Sequence, residues 1–368
     1  FYTALCQFIG FDEFGEEYKV MGLAPYGEDK YSELMHELVL LDDDHWFRLG
    51  KGYFGMHEGN ESGKVDNGKH IVMGRLYSDQ LRKKLGEPRA RNNALTQREK
   101  DIARSTQVRF EEAALHCLNR LNKLVPTQQL AMAGGCALNG VANARILRET
   151  PFTDHYLQAA SSDDGTCLGA AYYCWHQVIG QKERFHMKHA FWGPEYPDEH
   201  LRRVAESSGL VVQQCTDDDE LVEAAAELIA KGLVMGWYQG RSEWGPRALG
   251  NRSILANPSI STMKDTINTK INRRESFRPF APSVLKEDVS TYFEQTVDSP
   301  FMMHVVKIHP EWREKLPAIT HVDGTGRLQT VDRENNPLYH ALIDAFSQKT
   351  GIWMVLNTSF NENEPVVD

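Results

Sequence analysis

Apolar residues recur at helical spacing in the first half of the chain. Between residues 97 and 122, Ile102, Phe110 and Leu118 follow the period of an α-helix, with charged residues between them. This spacing predicts a long amphipathic helix that buries one face. Further helices are predicted from residue 139 to 148 and from residue 165 to about 178.

Short apolar runs precede two of these predicted helices. Residues 130–132 lead into Gly134 and Gly135, and residues 155–159 lead into the acidic turn SSDDGT. A strand, a turn and a helix, repeated in this way, predict an α/β layer structure. Ligands in such folds gather at the carboxyl ends of the strands, so we expect both turns to contribute to a ligand site.

A stretch rich in proline and glycine, FWGPEYPDEH at 191–200, separates two parts of the chain. Beyond it the pattern predicts a helix over about 218–231, a strand in LVMGWYQG and a later strand in GIWMVLN. The segment 50–93 is rich in Gly, Lys and Glu and predicts a long loop or insertion. We therefore expect two domains, 1–200 and 201–368.

The composition is that of a globular protein, with 368 residues, 41% hydrophobic and 25% charged residues, and a formal net charge of -10. Neither a long apolar run nor a leader with a basic and then an apolar region is visible, so we expect a cytoplasmic protein. The six cysteines form no CxxC pair, which favours free, buried thiols. The chain opens at Phe1 within apolar patterning, and we expect a piece of a longer protein.

Arginine is concentrated between residues 240 and 283. From Arg241 to Arg278 there are eight Lys and Arg against three Asp and Glu, a difference of five positive charges in an acidic chain. Guanidinium groups match phosphate or carboxylate oxygens bidentately, and glycine turns let backbone N–H groups approach the same anion. So compact a positive region indicates a small anion rather than nucleic acid. The alternative is a set of surface arginines paired with nearby acids.

Motifs along nearly the whole chain resemble those of one enzyme family. They are EEYKVMGLAPYG (16–27), GGCALNGVANARI (134–146), SDDGTCLGAA (162–171), GRSEWGPRALGNRSIL with RRESFRPFAPSVL, HVDGTGRLQTV (321–331) and LNTSFNENEP (356–365). In this order they resemble the ATP-dependent O-carbamoyltransferases, which carbamoylate nodulation factors and antibiotics. The resemblance implies an actin-like α/β domain of the hexokinase type, followed by a smaller α/β domain similar to threonylcarbamoyl-AMP synthase.

The resemblance also implies an order of reaction. Carbamoyl phosphate and ATP are combined in the second domain into carbamoyl-adenylate, with loss of phosphate and pyrophosphate, and a substrate hydroxyl then takes the carbamoyl group in the first domain. Arg247 and Arg252 would face these polyanions, with Arg274 and Arg278 as the opposite wall.

Three further residues of the second domain come from the same resemblance. Ser359 and Asn361 resemble the Ser-x-Asn element of the synthase, where they would hold nucleotide phosphate or a metal-bound water; a simple turn is the alternative. The family more often has a lysine where this chain has Asn272, so either Lys270 replaces it or the anion pocket has one positive charge fewer.

In the first domain, GGCALN resembles a nucleotide-binding element. Gly134 and Gly135 would permit close approach of the backbone, and Asn139 would reach the nucleotide. Asp163 resembles a metal-ligating aspartate, with Asp164 turned towards the nucleotide. The alternative is that Asp163 only caps the helix that follows.

The resemblance implies a divalent metal and leaves its ligand set incomplete here. Two histidines about one helical turn apart are the expected partners of Asp163, and we expect them before Phe1. Iron(II) suits a mixed set of His and Asp ligands, and Mg²⁺ can accompany ATP. Lys19 resembles a residue on the nucleotide side, with a solvated charge as the alternative.

Together these features predict an O-carbamoyltransferase that acts on the hydroxyl of a small molecule, without a nucleic-acid or membrane partner. One alternative is a transferase of the same fold that acts on tRNA, which the acidity of the chain disfavours. A non-catalytic nucleotide-binding protein is the other. The acceptor and the oligomeric state stay open, because loops that recognise sugars are not decoded by one sequence.

Overall fold

The computed structural model describes residues 1–55, 64–66, 70–271, 275 and 277–360, with only the backbone of the strands at 64–66 and 70–72. The architecture is mixed α/β, as predicted. Two compact units are present: residues 1–130 with 141–155, and residues 131–140 with the chain from 156 onwards. The domain boundary near residue 200 stays a prediction.

Most described elements of the first unit are helices and short hairpins. The helices are α1 (Tyr2–Phe8), α2 (Glu17–Leu23), α3 (Ser32–Leu38), α4 (Asp79–Leu85), α5 (Gln97–Leu124) and, from the border of the unit, α6 (Gly140–Glu149). The strands β1 (Val39–Leu40) and β2 (Arg48–Leu49) pair antiparallel, as do β3 (Lys64–Asp66) and β4 (His70–Val72). A further two-stranded pair consists of β5 (Gln129–Met132) and β6 (Asp154–Leu157).

The long helix α5 confirms the helix predicted for residues 97–122. Its start is defined by a capping box, in which Thr96 and Glu99 each satisfy a backbone N–H of the other. Ile102 is fully buried and Leu118 is 9% exposed, so the face predicted from the spacing is the buried one. Helices α1, α2 and α3 contact this helix, which makes it the centre of the first unit.

Two expectations were wrong in part. The segment 50–93 contains α4 as well as loop, because Ser78 caps the helix by accepting a hydrogen bond from the nitrogen of Leu81, whose side chain is buried. Of the free cysteines Cys6 is buried, whereas others lie exposed; these are Cys136, Cys167 and Cys174.

A six-stranded sheet forms the core of the second unit. Its strands are β7 (Met235–Tyr238), β8 (Arg252–Ala256), β9 (Ala281–Leu285), β10 (His304–Lys307), β11 (Thr325–Val331) and β12 (Met354–Ser359). Their order is β10-β11-β9-β12-β8-β7, and only the β11–β9 pair is parallel. The repeated strand, turn and helix of the first half therefore does not extend into this sheet.

The second unit also contains helices. They are α7 (Thr166–Tyr173), α8 (Asp198–Ser207), α9 (Asp218–Ala230), α10 (Met263–Thr266), α11 (Val289–Tyr292), α12 (Pro310–Arg313) and α13 (Pro337–Thr350). Helix α13 packs on α9 and against β9 and β12. No helix in the described ranges combines the length and the apolar character needed to cross a bilayer.

Candidate functional site

The arginine-rich loop between β7 and β8 is organised by an internal carboxylate. Oε1 of Glu243 accepts hydrogen bonds from the backbone nitrogens of Leu249 (2.8 Å), Asn251 (2.7 Å) and Arg252 (3.1 Å). The nitrogen of Gly250 donates to Oγ of Ser253 at 3.0 Å. We expected the backbone N–H groups of this loop to bind the external anion, and for residues 249–252 this was wrong, because partners within the protein already occupy them.

Arg252 holds the protein backbone together. Its guanidinium donates to the carbonyl oxygens of Gln239 (2.8 Å), Asn251 (2.9 Å), Gly240 (3.0 Å) and Pro194 (3.3 Å). The same group stacks on the ring of Tyr238 at 3.6 Å, and the residue is 5% exposed. This geometry favours a structural role, so its predicted contact with substrate stays untested and loses support.

The strand register explains why Arg252 lies apart from the other predicted residues. Ser253 pairs with Ser359 across β8 and β12, and antiparallel residues opposite each other share one face of a sheet. Neighbouring residues of a strand point to opposite faces. Arg252 therefore points away from the face that carries Ser359, and its cross-strand partner Tyr238 points with it.

The face that carries Ser359 is polar across three central strands. Nδ2 of Asn357 on β12 lies 3.0 Å from Oγ of Ser283 on β9 and 2.9 Å from Oε1 of Gln329 on β11. The hydroxyl of Ser283 donates to the same Oε1 at 2.5 Å. Nε2 of Gln329 then donates to the carbonyl oxygen of Leu249 at 2.8 Å, which ties the arginine loop to the sheet.

Gly250 brings this loop close to α13. Its φ is +108°, and a Cβ atom built there would lie 2.3 Å from Cδ1 of Tyr339. No L side chain fits that position, since both the backbone conformation and the ring exclude it. Tyr339 is completely buried, and burial raises the pKa of its hydroxyl above the usual range.

A pocket lies between the polar face of the sheet and the arginine-rich loop, and residues of both line it. Its volume is about 440 Å³, counting the solvent at its mouth. The residues that line it are Pro246, Arg247, Ala248, Pro279, Phe280, Ala281, Met302, Arg327, Asn357, Thr358 and Ser359. Among the described residues of this lining there are two guanidinium groups and no carboxylate, which gives this part of the pocket a positive charge that suits a small anion.

Arg247 and Ser359, both candidate site residues, line this pocket. Their predicted roles stay predictions. Arg278 lies beside the pocket, because the next residue, Pro279, is part of the lining. Nε of Arg278 lies 2.6 Å from a carboxylate oxygen of Glu275. This ion pair matches the alternative in which arginines are balanced by nearby acids.

Other predicted residues of the second domain lie elsewhere or are not described. Lys270 is exposed in the helical turn after α10. Arg274 and Asn361 lie outside the described residues, as does Asn272. Their predicted roles stay predictions.

Arg327 and Asn357 are pocket residues that the sequence did not single out. Arg327 stands in the motif HVDGTGRLQTV, which carries the family resemblance. Its place beside Arg247 depends on a strand pairing about 80 residues away from the arginine-rich region, and no local pattern reveals that. Asn357 lies two residues before Ser359, so alternation along a strand was the signal that would have found it.

The two turns predicted to bind nucleotide are neighbours in the second unit. The nitrogen of Gly134 donates to the carbonyl oxygen of Ser161 at 2.6 Å, and Gly134 has a φ of +98°. A Cβ atom on Gly135 would lie 3.5 Å from Oγ of Ser162. Asp163 and Asp164 follow directly, both exposed, while Asn139 is 9% exposed at the other end of the glycine turn.

Asp163 does not form a metal site with other described residues. No group of three His, Cys, Asp or Glu side chains within the described ranges is arranged to hold a metal ion. Its carbonyl oxygen accepts a hydrogen bond from the hydroxyl of Thr166 at 2.6 Å, which is a local contact at the start of α7.

Lys19 lies in the first unit and is 5% exposed. It forms an ion pair with Glu16, and Glu16 also accepts two hydrogen bonds of 2.9 Å from Arg91. Burial alone would raise the pKa of Glu16, but the hydrogen bonds from Arg91 and Lys19 hold it below the usual value. Lys19 is thus a buried, paired charge, and the alternative of a solvated charge is wrong.

Comparison with known proteins identifies the family. The model described as carbamoyltransferase N-terminus matches residues 1–172, and that described as carbamoyltransferase C-terminus matches residues 226–368. The chain belongs to the carbamoyltransferase family. This confirms the resemblance seen in the sequence, and it supports the expected class of transferase.

Several relatives are similar over much or all of the chain. An uncharacterised protein of Synechocystis is 40% identical over 100% of the chain and 62% of its own length. Nodulation protein NolO of Bradyrhizobium diazoefficiens is 40% identical over 100% of the chain and 63% of its own length. The 3'-hydroxymethylcephem-O-carbamoyltransferase of Amycolatopsis lactamdurans is 33% identical over 64% of the chain and 42% of its own length. The chain thus spans less than two thirds of these relatives.

Proposed function

We propose that the protein containing this chain is an O-carbamoyltransferase that forms carbamoyl-adenylate from ATP and carbamoyl phosphate. The observation that carries the proposal is the pocket of the second unit, whose described lining includes Arg247, Arg327 and Ser359 and contains no carboxylate. Membership of the carbamoyltransferase family supports the same chemistry. Under this proposal the sheet belongs to a domain similar to threonylcarbamoyl-AMP synthase, and residues 1–200 belong to an actin-like domain.

The arginines of the pocket have a defined task in such a reaction. Carbamoyl phosphate, the triphosphate of ATP and the departing pyrophosphate are all polyanions. Guanidinium groups that are held in place before the reaction stabilise charge as it develops on the leaving oxygens. Arg247 comes from the loop tied down by Glu243, and Arg327 from a central strand, so both start from well-supported backbone. Ser359 adds a hydroxyl at the end of β12.

The second step takes the carbamoyl group to a hydroxyl of a small molecule. We propose that the glycine turn at Gly134 and Gly135, with Asn139, Asp163 and Asp164, binds the nucleotide part of the adenylate. The contact between Gly134 and Ser161 supports this, because it places both turns in one region of the second unit. Because relatives are named for nodulation and for cephem carbamoylation, we propose a small-molecule acceptor. ATP is an intracellular metabolite, so the proposed reaction belongs in the cytoplasm.

The decisive experiment measures pyrophosphate release by the full-length protein with ATP and carbamoyl phosphate. We expect the wild-type protein to release pyrophosphate only when both substrates are present, and Arg247→Ala to lose most of this rate. Arg203→Ala, an exposed arginine of α8, is the matched control and should behave like the wild type. Wild-type release by Arg247→Ala, or none by the wild-type protein, would sink the proposal.

A further inference from the structure

The side-chain amide of Asn357 has an oxygen, Oδ1, to which none of the described residues donates a hydrogen bond. The residue is 1% exposed and borders the pocket that Arg247 and Arg327 line. A buried carbonyl without a donor is costly, so such an atom beside a pocket points to a donor on a ligand.

The orientation of this amide is determined by its other end. Nδ2 of Asn357 lies 3.0 Å from the carbonyl oxygen of Ala248, 3.0 Å from Oγ of Ser283 and 2.9 Å from Oε1 of Gln329. Rotating the amide by half a turn would place Oδ1 next to the carbonyl oxygen of Ala248 and Oε1 of Gln329. Neither oxygen can donate a hydrogen bond, so this orientation is unfavourable. Gln329 cannot relieve this by turning, because its own Nε2 is bound to the carbonyl oxygen of Leu249. The amide therefore keeps the orientation in which Nδ2 donates to these oxygens, and Oδ1 is left to accept a hydrogen bond from another group.

The charge of the lining and this acceptor together define a ligand. Arg247 and Arg327 bring positive charge that suits an anion, whereas Oδ1 of Asn357 calls for an N–H or O–H group on the same molecule. An acyl phosphate that carries an amino group on its acyl carbon has both features within a few bonds. Carbamoyl phosphate is such a molecule, and acetyl phosphate, which has a methyl group in place of the amino group, is not.

We infer that Asn357 is a specificity-determining residue, whose Oδ1 accepts a hydrogen bond from the amino group of carbamoyl phosphate. This inference rests on the proposed function and adds a reason for the choice of substrate. The arginines bind the phosphate of either acyl phosphate, but only the carbamoyl compound satisfies the buried oxygen. A site built to hydrogen-bond a polar group rejects the analogue that lacks it, because its own buried group is then unpaired.

Two stable analogues test the inference without turnover. Phosphonoacetamide carries the amino group, and acetonylphosphonate carries a methyl group in the same place. Calorimetry on the full-length wild-type protein should show that phosphonoacetamide binds about tenfold more tightly, the effect expected of one hydrogen bond. In Asn357→Leu the two affinities should be equal. In Ser283→Ala, which changes the same network but leaves Oδ1 in place, the tenfold ratio should persist.

The ratio of affinities separates specificity from a structural role. If Asn357→Leu only disturbed packing, it would weaken the binding of both analogues equally, and the ratio of their affinities would stay at about tenfold. That outcome overturns the inference. Equal affinities in the wild-type protein overturn it as well, whether or not Asn357→Leu folds. If the wild-type protein also releases no pyrophosphate from ATP and carbamoyl phosphate, the proposed function fails; if release is normal, only the role of Asn357 fails.

Discussion

The carboxylate of Glu243 accepts a hydrogen bond from the backbone nitrogen of Asn251 at 2.7 Å, across the loop that carries Arg247. Two further backbone nitrogens of the loop donate to the same oxygen. An acidic residue thus lies at the centre of the most basic region of the chain. Its role is to hold the loop in one conformation, which leaves the arginine side chain, rather than the backbone, to meet an anion.

The first prediction concerns this carboxylate. Glu243→Ala should lower the free energy of unfolding by about 1.5–3 kcal/mol, since three backbone donors lose a charged acceptor. Glu243→Gln keeps an acceptor oxygen in the same place and should recover most of the loss. Urea unfolding of both variants and the wild type measures the difference. Equal stability of Glu243→Ala and the wild type would contradict the role given to the carboxylate.

The second prediction concerns Arg252, whose guanidinium donates to four backbone carbonyl oxygens. We expect Arg252→Ala to lower the free energy of unfolding by about 1–3 kcal/mol or more, because buried carbonyl oxygens are left without donors. The variant should therefore unfold at a lower temperature than the wild type, and this loss of stability should be its main defect. Unchanged stability, combined with lost affinity for pyrophosphate, would restore the role predicted from the sequence.

The third prediction concerns Arg327, which the sequence did not single out. Arg327→Ala should weaken the binding of pyrophosphate about 10- to 100-fold, the effect expected for a charge-assisted hydrogen bond of about 1.5–3 kcal/mol. Calorimetry with pyrophosphate alone measures this. Arg203→Ala removes the same charge from an exposed position on α8 and should bind as the wild type does. Equal losses in both variants would indicate a general effect of charge instead of a contact in the pocket.

The fourth prediction tests the close approach of the loop to α13. Gly250→Ala would place a Cβ atom 2.3 Å from the ring of Tyr339, on a backbone with φ +108°. We expect it to cost more than the roughly 1–2 kcal/mol that a left-handed conformation alone costs an L residue. Gly351→Ala is the control, because its φ is +73° and nothing lies within 4 Å. Similar unfolding free energies for the two variants would show that the loop can move away from Tyr339 without loss of stability.

The fifth prediction concerns the division of labour between the two proposed steps. Asp163 lies in the turn next to Gly134 and does not line the pocket of Arg247. Asp163→Ala in the full-length protein should therefore release pyrophosphate at the wild-type rate but fail to transfer the carbamoyl group to a hydroxyl acceptor. Pyrophosphate release and product formation are measured in the same reaction. Loss of both together would mean that the two steps share one site.

Local pattern alone determined much of the secondary structure and the family. The period of 3.6 residues at Ile102 and Leu118 predicted α5, because one face of a helix repeats along the chain and needs no distant partner to be recognised. Short apolar runs before glycine and acidic turns predicted β5 and β6 in the same way. The order of the motifs identified the carbamoyltransferase family. Arg247 and Ser359, both singled out in the sequence, line the same pocket, and their roles there stay predictions.

Only the tertiary structure decided which arginines line the pocket of the second unit. Arg247 and Arg252 are five residues apart, yet the pairing of β8 with β12 turns Arg252 to the other face of the sheet. Arg327 is far from both in sequence, and the pairing of β11 with β9 carries it to the pocket. The side to which a strand residue points depends on register with distant strands, and a shift of one residue reverses it. The sequence therefore indicated the chemistry of the site, whereas the sheet selected the residues that supply it.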